Sequence, residues 1–379
     1  MKRYVALLVL VVLALFSTNV MASGTIRIGA LFSVTGPASF LGEPEKNTLE
    51  MVVKEANARG GIKGNKIELF VYDTQGDATK AVQLATKLIK NDKVVAIIGP
   101  STTGDTMAII PIIEKEQIPL ISCAAGVKIT DPVKKWVFKT PANDHVAAEK
   151  LLDYLTKQKQ KNLAILTVSD AYGQSGREQL KALAAKKGFT VVADEVYSPK
   201  DTDMTAQLTK IKGTKADTIV CWGTNPGPAV VTRNVKQLGI KTPLYQSHGV
   251  ASKKYIELAG TDAAEGVTLP AGKLTIYDKL KKNDPQYKVL SDYDQAYKKN
   301  YGVEASTFGG YAYDAFLLLT EAVTKSGTTP EQIRIGIEQV RKLVGVSGIF
   351  TMSPTDHNGL DLSAFEMVKI SNGDWVLAP

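Results

Sequence analysis

Short apolar runs alternate with amphipathic helical stretches along almost the whole chain, and this rhythm limits the architecture more than any other feature. Residues 26–32 form a β-type run. Gly36 and Pro37 then turn the chain into a helical pattern over 41–58, which Arg59-Gly60-Gly61 stops. Residues 67–72 read as a strand. Residues 79–90 read as a helix with Ala81, Leu84, Ala85, Leu88 and Ile89 on one face. A strand over 94–98, a helix over 106–116 and a strand over 119–123 complete the set. The strand runs are continuously apolar, which predicts strands covered on both faces, as in a parallel sheet between helices.

The rhythm then restarts. Residues 136–140 lead to a helix over 145–157. A strand over 163–168, a helix over 174–187 and a strand over 191–196 follow. Next come a helix over 204–212, a strand over 218–222, a helix over 226–238 and a strand over 243–246. Element order repeats although residue identity does not, so the expected class is α/β with two doubly wound, Rossmann-like lobes. Helical patterns over 286–300, 311–326 and 330–343 cannot form a third sheet and are expected to complete one lobe. Segments 350–352 and 365–370, with Trp375, read as strands.

The N-terminus reads as an export signal. Lys2 and Arg3 precede a twelve-residue apolar run over 5–16, and Val20-Met21-Ala22 fits a cleavage site, so the mature chain is expected to start at Ser23. The run is shorter than the ~20 residues that span a bilayer. A released, periplasmic protein is therefore expected, its remaining 357 residues being long enough for two cores. Lysines dominate the net positive charge but are scattered, as at Lys157, Lys159 and Lys161. No basic run is interleaved with aromatics, so nucleic acid is not expected as a partner. Cys123 and Cys221 end two apolar runs and are expected to be buried free thiols rather than a bridge.

Catalytic signatures are missing. His145, His248 and His357 are isolated, with no H-E-x-x-H and no zinc-type Cys/His spacing. Gly173-Gln174-Ser175-Gly176 lacks the spacing of a nucleophile elbow, and Gly99-Pro100-Ser101-Thr102-Thr103-Gly104 lacks the lysine of a phosphate loop. The expectation is a binding protein, not an enzyme, with no cofactor and no metal.

Ligands of doubly wound sheets bind outside the carboxyl ends of strands. One such end carries Ser101, Thr102 and Thr103 at the start of a helix, where hydroxyls and free N–H groups suit a carboxylate; a plain helix cap is the other reading. The next carries Ala124, Ala125 and Gly126, small enough for close backbone approach or simply for a tight loop. In the second half Tyr172, then Trp222 with Thr224 and Asn225, then His248 follow strands. A lone aromatic at a strand end often just covers a core, but polar strand ends in both halves are better explained by a shared cleft.

These residues resemble the periplasmic solute-binding proteins of ABC importers, in particular the branched-chain amino-acid (Leu/Ile/Val) binding family. The resemblance runs through Ile28-Gly29-Ala30-Leu31-Phe32, Asn57-Ala58-Arg59-Gly60-Gly61-Ile62, Ile98-Gly99-Pro100, Asp170-Ala171-Tyr172-Gly173, Gln237-Leu238-Gly239-Ile240 and Tyr313-Asp314-Ala315. It implies lobes joined by three crossovers: 23–142 plus 273–352, and 143–272 plus 353–379. It implies a monomer that captures an amino acid or small carboxylate by hinge closure and delivers it to ABC permease subunits. By resemblance, Thr103 and the backbone of Ala124 to Gly126 hold the ligand carboxylate, Tyr172 closes from the second lobe, and the Thr224/Asn225 position faces the ligand side chain. Two positions depart from the family pattern. Gly126 stands where a Thr or Ser is common, and His248 where a carboxylate usually pairs with the α-ammonium. Either another acidic residue supplies that partner, or the ligand is an aromatic or aliphatic acid without an α-amino group, with Trp222 or Tyr172 against its ring. A ligand-sensing module for a membrane receptor is the further alternative.

Overall fold

The computed structural model describes residues 24–379; the export signal and Ser23 lie outside them. The first half contains strands β1 (Thr25–Phe32), β2 (Lys66–Asp73), β3 (Ala96–Ile98), β4 (Leu120–Ser122) and β5 (Val137–Lys139), with helices α1 (Ser39–Ala58), α2 (Ala78–Lys90) and α3 (Thr103–Glu116). The second half has β6 (Asn162–Val168), β7 (Thr190–Tyr197), β8 (Thr218–Trp222), β9 (Leu244–Gln246) and β10 (Thr268–Ala271). Its helices are α4 (Asp144–Lys157), α5 (Ala171–Lys187), α6 (Thr205–Lys212), α7 (Gly227–Gln237), α8 (Lys253–Ala259) and α9 (Thr261–Ala264). There follow α10 (Tyr287–Tyr301), α11 (Thr307–Ser326), α12 (Pro330–Glu338), β11 (Leu343–Val344), β12 (Ile349–Phe350), β13 (Glu366–Ser371) and β14 (Asp374–Leu377).

The first sheet has the order β2-β1-β3-β4-β5, all parallel. The second has β7-β6-β8-β9-β10 in parallel, extended by antiparallel β13 and β14. The parallel part repeats the order of the first sheet, five strands later. Two α/β lobes are the result, and both reverse strand order at the same place, between first and third strands, where doubly wound folds open a ligand crevice.

Strand periodicity explains the layering. Ile26, Ile28, Ala30 and Phe32 of β1 pack with α1, α10, α11 and α12 on one face. Leu31 packs with Ala81, Ala85 and Leu88 of α2 and with Ile109 and Ile113 of α3 on the other. In the second lobe Ala164, Leu166 and Val168 of β6 face one core, while Leu163 and Ile165 face another. The three late helices thus complete the first lobe. Cys123 and Cys221 are both free and buried, one in each lobe's core.

Sequence and structure differ most at helix starts. The helices expected from residues 106 and 174 begin three residues earlier, at Thr103 and Ala171. The helix expected to reach 343 stops at Glu338, and Leu343 already belongs to a strand. Residues 247–285, left unassigned by the sequence, hold α8, α9 and β10; Pro270 inside β10 hides that strand, because proline reads as a strand breaker. Among the described residues no helix is long and apolar enough to cross a membrane.

Candidate functional site

The carboxyl ends of both sheets face one cavity of about 330 Å³ between the lobes, within the usual size range of small-molecule pockets. Three helices start on its wall: α3 from the first lobe, α5 and α7 from the second. Each start brings a positive dipole end to the crevice. Gly99 makes the turn that places α3 there. Its φ is +89°, and a Cβ would sit 2.2 Å from the Leu31 carbonyl oxygen, so only glycine fits.

The loop after β3 divides its tasks among three hydroxyls. Ser101 accepts from the Ser33 backbone N–H at 3.0 Å and donates to the buried Glu45 carboxyl, which fixes the end of β1 to α1. Burial raises the Glu45 carboxyl well above its ordinary range. Thr102 caps α3, its Oγ1 accepting from the Asp105 N–H at 3.1 Å. Thr103 Oγ1 is left buried with no protein partner, on the cavity wall. The cap reading therefore holds for Thr102 and leaves Thr103 available to a ligand.

Beside Thr103, the carbonyls of Ala125 and Gly126 turn backward and accept from the Lys139 ammonium at 2.8 and 3.0 Å. Their own N–H groups donate to no described protein acceptor, whereas Val127 N–H donates to Ser175 Oγ across the cleft at 3.1 Å. The Thr103 hydroxyl, the start of α3 and Ala125 thus lie together on the cavity wall. Such a corner suits an anion.

The second lobe supplies the opposite wall. Tyr172 lies on it, 8% exposed, with its hydroxyl donating to Ser247 at 3.2 Å. Thr224 and Asn225 line it as well, and both amide atoms of Asn225 are buried without a partner. His248 lines it too, edge-on to Tyr172, with neither ring nitrogen hydrogen-bonded. Its Nε2 is 3.7 Å from Asp144 Oδ1, too long for a hydrogen bond. Burial, and then the Lys139 charge, pull the imidazole down to about 3, so it is neutral at physiological pH.

Nine of the eleven residues singled out in the sequence line this cavity: Ser101, Thr102, Thr103, Ala124, Ala125, Tyr172, Thr224, Asn225 and His248. Trp222 and Gly126 do not. Trp222 is fully buried behind the wall; its ring fills the space over Gly176, where a Cβ would lie 2.2 Å from the indole Nε1. It packs against Tyr172 and His248 rather than facing a ligand. Gly126 lies beneath Thr103, and a Cβ there would fall 2.4 Å from Thr103 Cγ2. This close approach is the physical reason a Thr or Ser is not accommodated.

Sequence reasoning passed over Tyr197, Phe308, Tyr311, Asp105 and Asp170 on the wall. Tyr197 ends β7, and its position after a strand was a legible signal. Phe308 and Tyr311 sit on α11, far along the chain, and only tertiary packing brings them here. Asp170 caps α5 through Gly173 N–H at 2.8 Å, and Asp105 accepts from Thr74 at 2.8 Å. Burial raises both carboxyls above the usual range. Among the described residues no group of His, Cys, Asp and Glu is arranged to hold a metal ion.

A sequence profile described as periplasmic binding protein matches residues 25–374. The chain belongs to the periplasmic binding protein family. Its relatives include a Leu/Ile/Val-binding protein homolog of Brucella melitensis, 27% identical over 93% of both chains. The Escherichia coli K12 Leu/Ile/Val-binding protein is 27% identical over 72% of this chain and 74% of its own. Among solved structures, an extracellular ligand-binding receptor from Rhodopseudomonas palustris HaA2 superposes with a TM-score of 0.88 at 31% identity, covering 93% of this chain and all but 1% of the other. A branched-chain amino-acid transporter substrate-binding protein from Streptococcus pneumoniae, solved with isoleucine, gives 0.81 at 26% identity over 93% of this chain and 100% of the other.

Proposed function

We propose that this periplasmic binding protein is the exported, monomeric substrate-binding component of an ABC importer. It captures a branched-chain or other hydrophobic amino acid, or a related small carboxylate, and closes its lobes around it. The observation that carries this reading is the anion corner of Thr103, Ala125 and the start of α3, which shares one cavity with the rings of Tyr172, Phe308 and Tyr311. The corner suits a carboxylate and the wall a hydrocarbon or ring. The names of the Brucella and E. coli relatives point the same way. Binding, rather than catalysis, is the activity proposed.

The lobe boundaries carried into this proposal are 23–142 plus 273–352, and 143–272 plus 353–379. Near the 272/273 boundary the chain packs on both sides, Leu274 in the first lobe's core and Ile276, two residues on, in the second's. Export with cleavage after Ala22, and docking to permease subunits, belong to the same proposal.

The neutral His248 supports a second reading, an acid without an α-amino group. Asp105 of the first lobe and Asp170 of the second line the same cavity and support the first, as carboxylates of the kind that pair with an ammonium. Mass spectrometry of ligand released from the purified protein, then calorimetry with L-leucine, 4-methylpentanoate and benzoate, separates the two. Tight leucine binding selects the amino acid, and tight binding of the amine-free acids alone selects the second reading. Failure to bind any small carboxylate sinks both.

A further inference from the structure

Lys139 is the most unusual charge in the molecule. It ends β5 with 0% of its surface exposed, and its ammonium donates only to the Ala125 and Gly126 carbonyls. It forms no ion pair among the described residues. Burying an ammonium with no carboxylate in contact is costly, so a position that keeps one needs a reason. The two carbonyls belong to the loop whose Ala124 and Ala125 line the cavity, and across each planar trans peptide the opposed N–H is that of Gly126, which has no described protein acceptor, and that of Val127, which donates to Ser175 Oγ.

We infer that Lys139 is a positioning residue for the ligand carboxylate: by holding the Ala125 carbonyl it turns the Gly126 N–H of the same peptide to the opposite side and fixes the loop against Thr103, and its charge, acting through the loop, selects an anion. This rests on the carboxylate-binding function proposed above. The carbonyls are doubly committed, since Ala125 also accepts from Asp144 N–H at 3.2 Å and Gly126 from Ile129 N–H at 3.2 Å. Three groups therefore anchor the loop from behind, and only Lys139 carries charge. Asp144, Asp131, Asp356, Lys134 and His248 surround that charge. Asp144 is the carboxylate most strongly felt, and burial pulls the Lys139 ammonium down and the Asp144 carboxyl up. A bound anion restores the charged lysine.

The test uses whichever of L-leucine and 4-methylpentanoate the wild-type protein binds, together with its neutral-carboxyl amide. Lys139→Gln retains a donor for the carbonyls but loses the charge. The expected result is acid binding weakened roughly ten- to a hundredfold, with the amide bound as in wild type, so that discrimination between acid and amide collapses. Unchanged discrimination in folded Lys139→Gln overturns the inference. A wild-type protein that binds neither acid overturns the functional proposal instead. If Lys139→Gln does not fold, the wild type decides: acid binding at pH 8, measured in two buffers of different ionisation enthalpy, is expected to take up protons. No uptake overturns the inference.

Discussion

Thr102 and Thr103 are adjacent, share a side chain and do different work. Thr102 closes the first turn of α3, while Thr103 Oγ1 has no partner within the protein. Thr102→Ala is therefore expected to cost about 1 kcal/mol of stability, read as a fall in the thermal midpoint, with little change in ligand affinity. Thr103→Val removes a buried hydroxyl that the protein does not satisfy. Its midpoint should hold or rise, while carboxylate affinity falls about tenfold by calorimetry. Equal effects of both changes would contradict the division of labour. His248 gives a pH prediction. Its folded pKa of about 3 lies below the ordinary histidine value, so the unfolded chain binds the extra proton between those limits. The stabilising contribution is complete above pH ~6.5 and is lost as pH falls toward 3, with a slope of up to about 1.4 kcal/mol per pH unit. Urea unfolding of His248→Gln across this range should show a shallower acid decline than wild type.

At the scale of elements, the site is built from helix beginnings and strand ends rather than from complete motifs. α3, α5 and α7 begin where β3, β6 and β8 stop, which brings dipole ends and short polar loops together. The junction between α3 and the loop after β4 is tight, because Gly126 and Thr103 are packed without room for a Cβ. Gly126→Ser should displace one of them, costing about 1–3 kcal/mol and weakening carboxylate binding together. Thermal unfolding and calorimetry on the same preparation check this. A wild-type midpoint with tighter binding would show that the loop opens to admit the hydroxyl.

Over the whole molecule, two cores flank a cleft whose lip is pinned by light contacts. Val127 N–H reaches Ser175 Oγ, and Lys128 meets Glu178 at 2.9 Å in an exposed ion pair. Contacts of this kind contribute little to folding but favour the closed arrangement. Glu178→Lys with Ser175→Ala should leave the unfolding midpoint within a degree or two and speed ligand release a few-fold in stopped-flow traces. Small-angle scattering should show the radius of gyration falling on ligand addition, and less so in the double variant. An unchanged radius with a tightly bound ligand would count against hinge closure.

The amino-acid sequence determined the class of the fold and the polar strand ends of the cavity, because both are local. Continuous apolar runs dictate buried parallel strands, and polar residues just beyond them must sit at strand ends. That logic reaches Thr103, Ala125, Tyr172, Asn225 and His248 from the sequence alone. It failed where distance along the chain hides proximity in space. Tyr311 enters from α11, and the strand position of Lys139 does not reveal the loop that packs over its ammonium. Trp222 shows the converse: it occupies a strand end, yet its rotamer turns it into the core over Gly176. Pattern along a chain fixes which elements form and which ends are polar. Side-chain direction and contacts between distant segments depend on close packing in three dimensions, so only the tertiary structure could decide which polar ends meet and which charge lies beneath them.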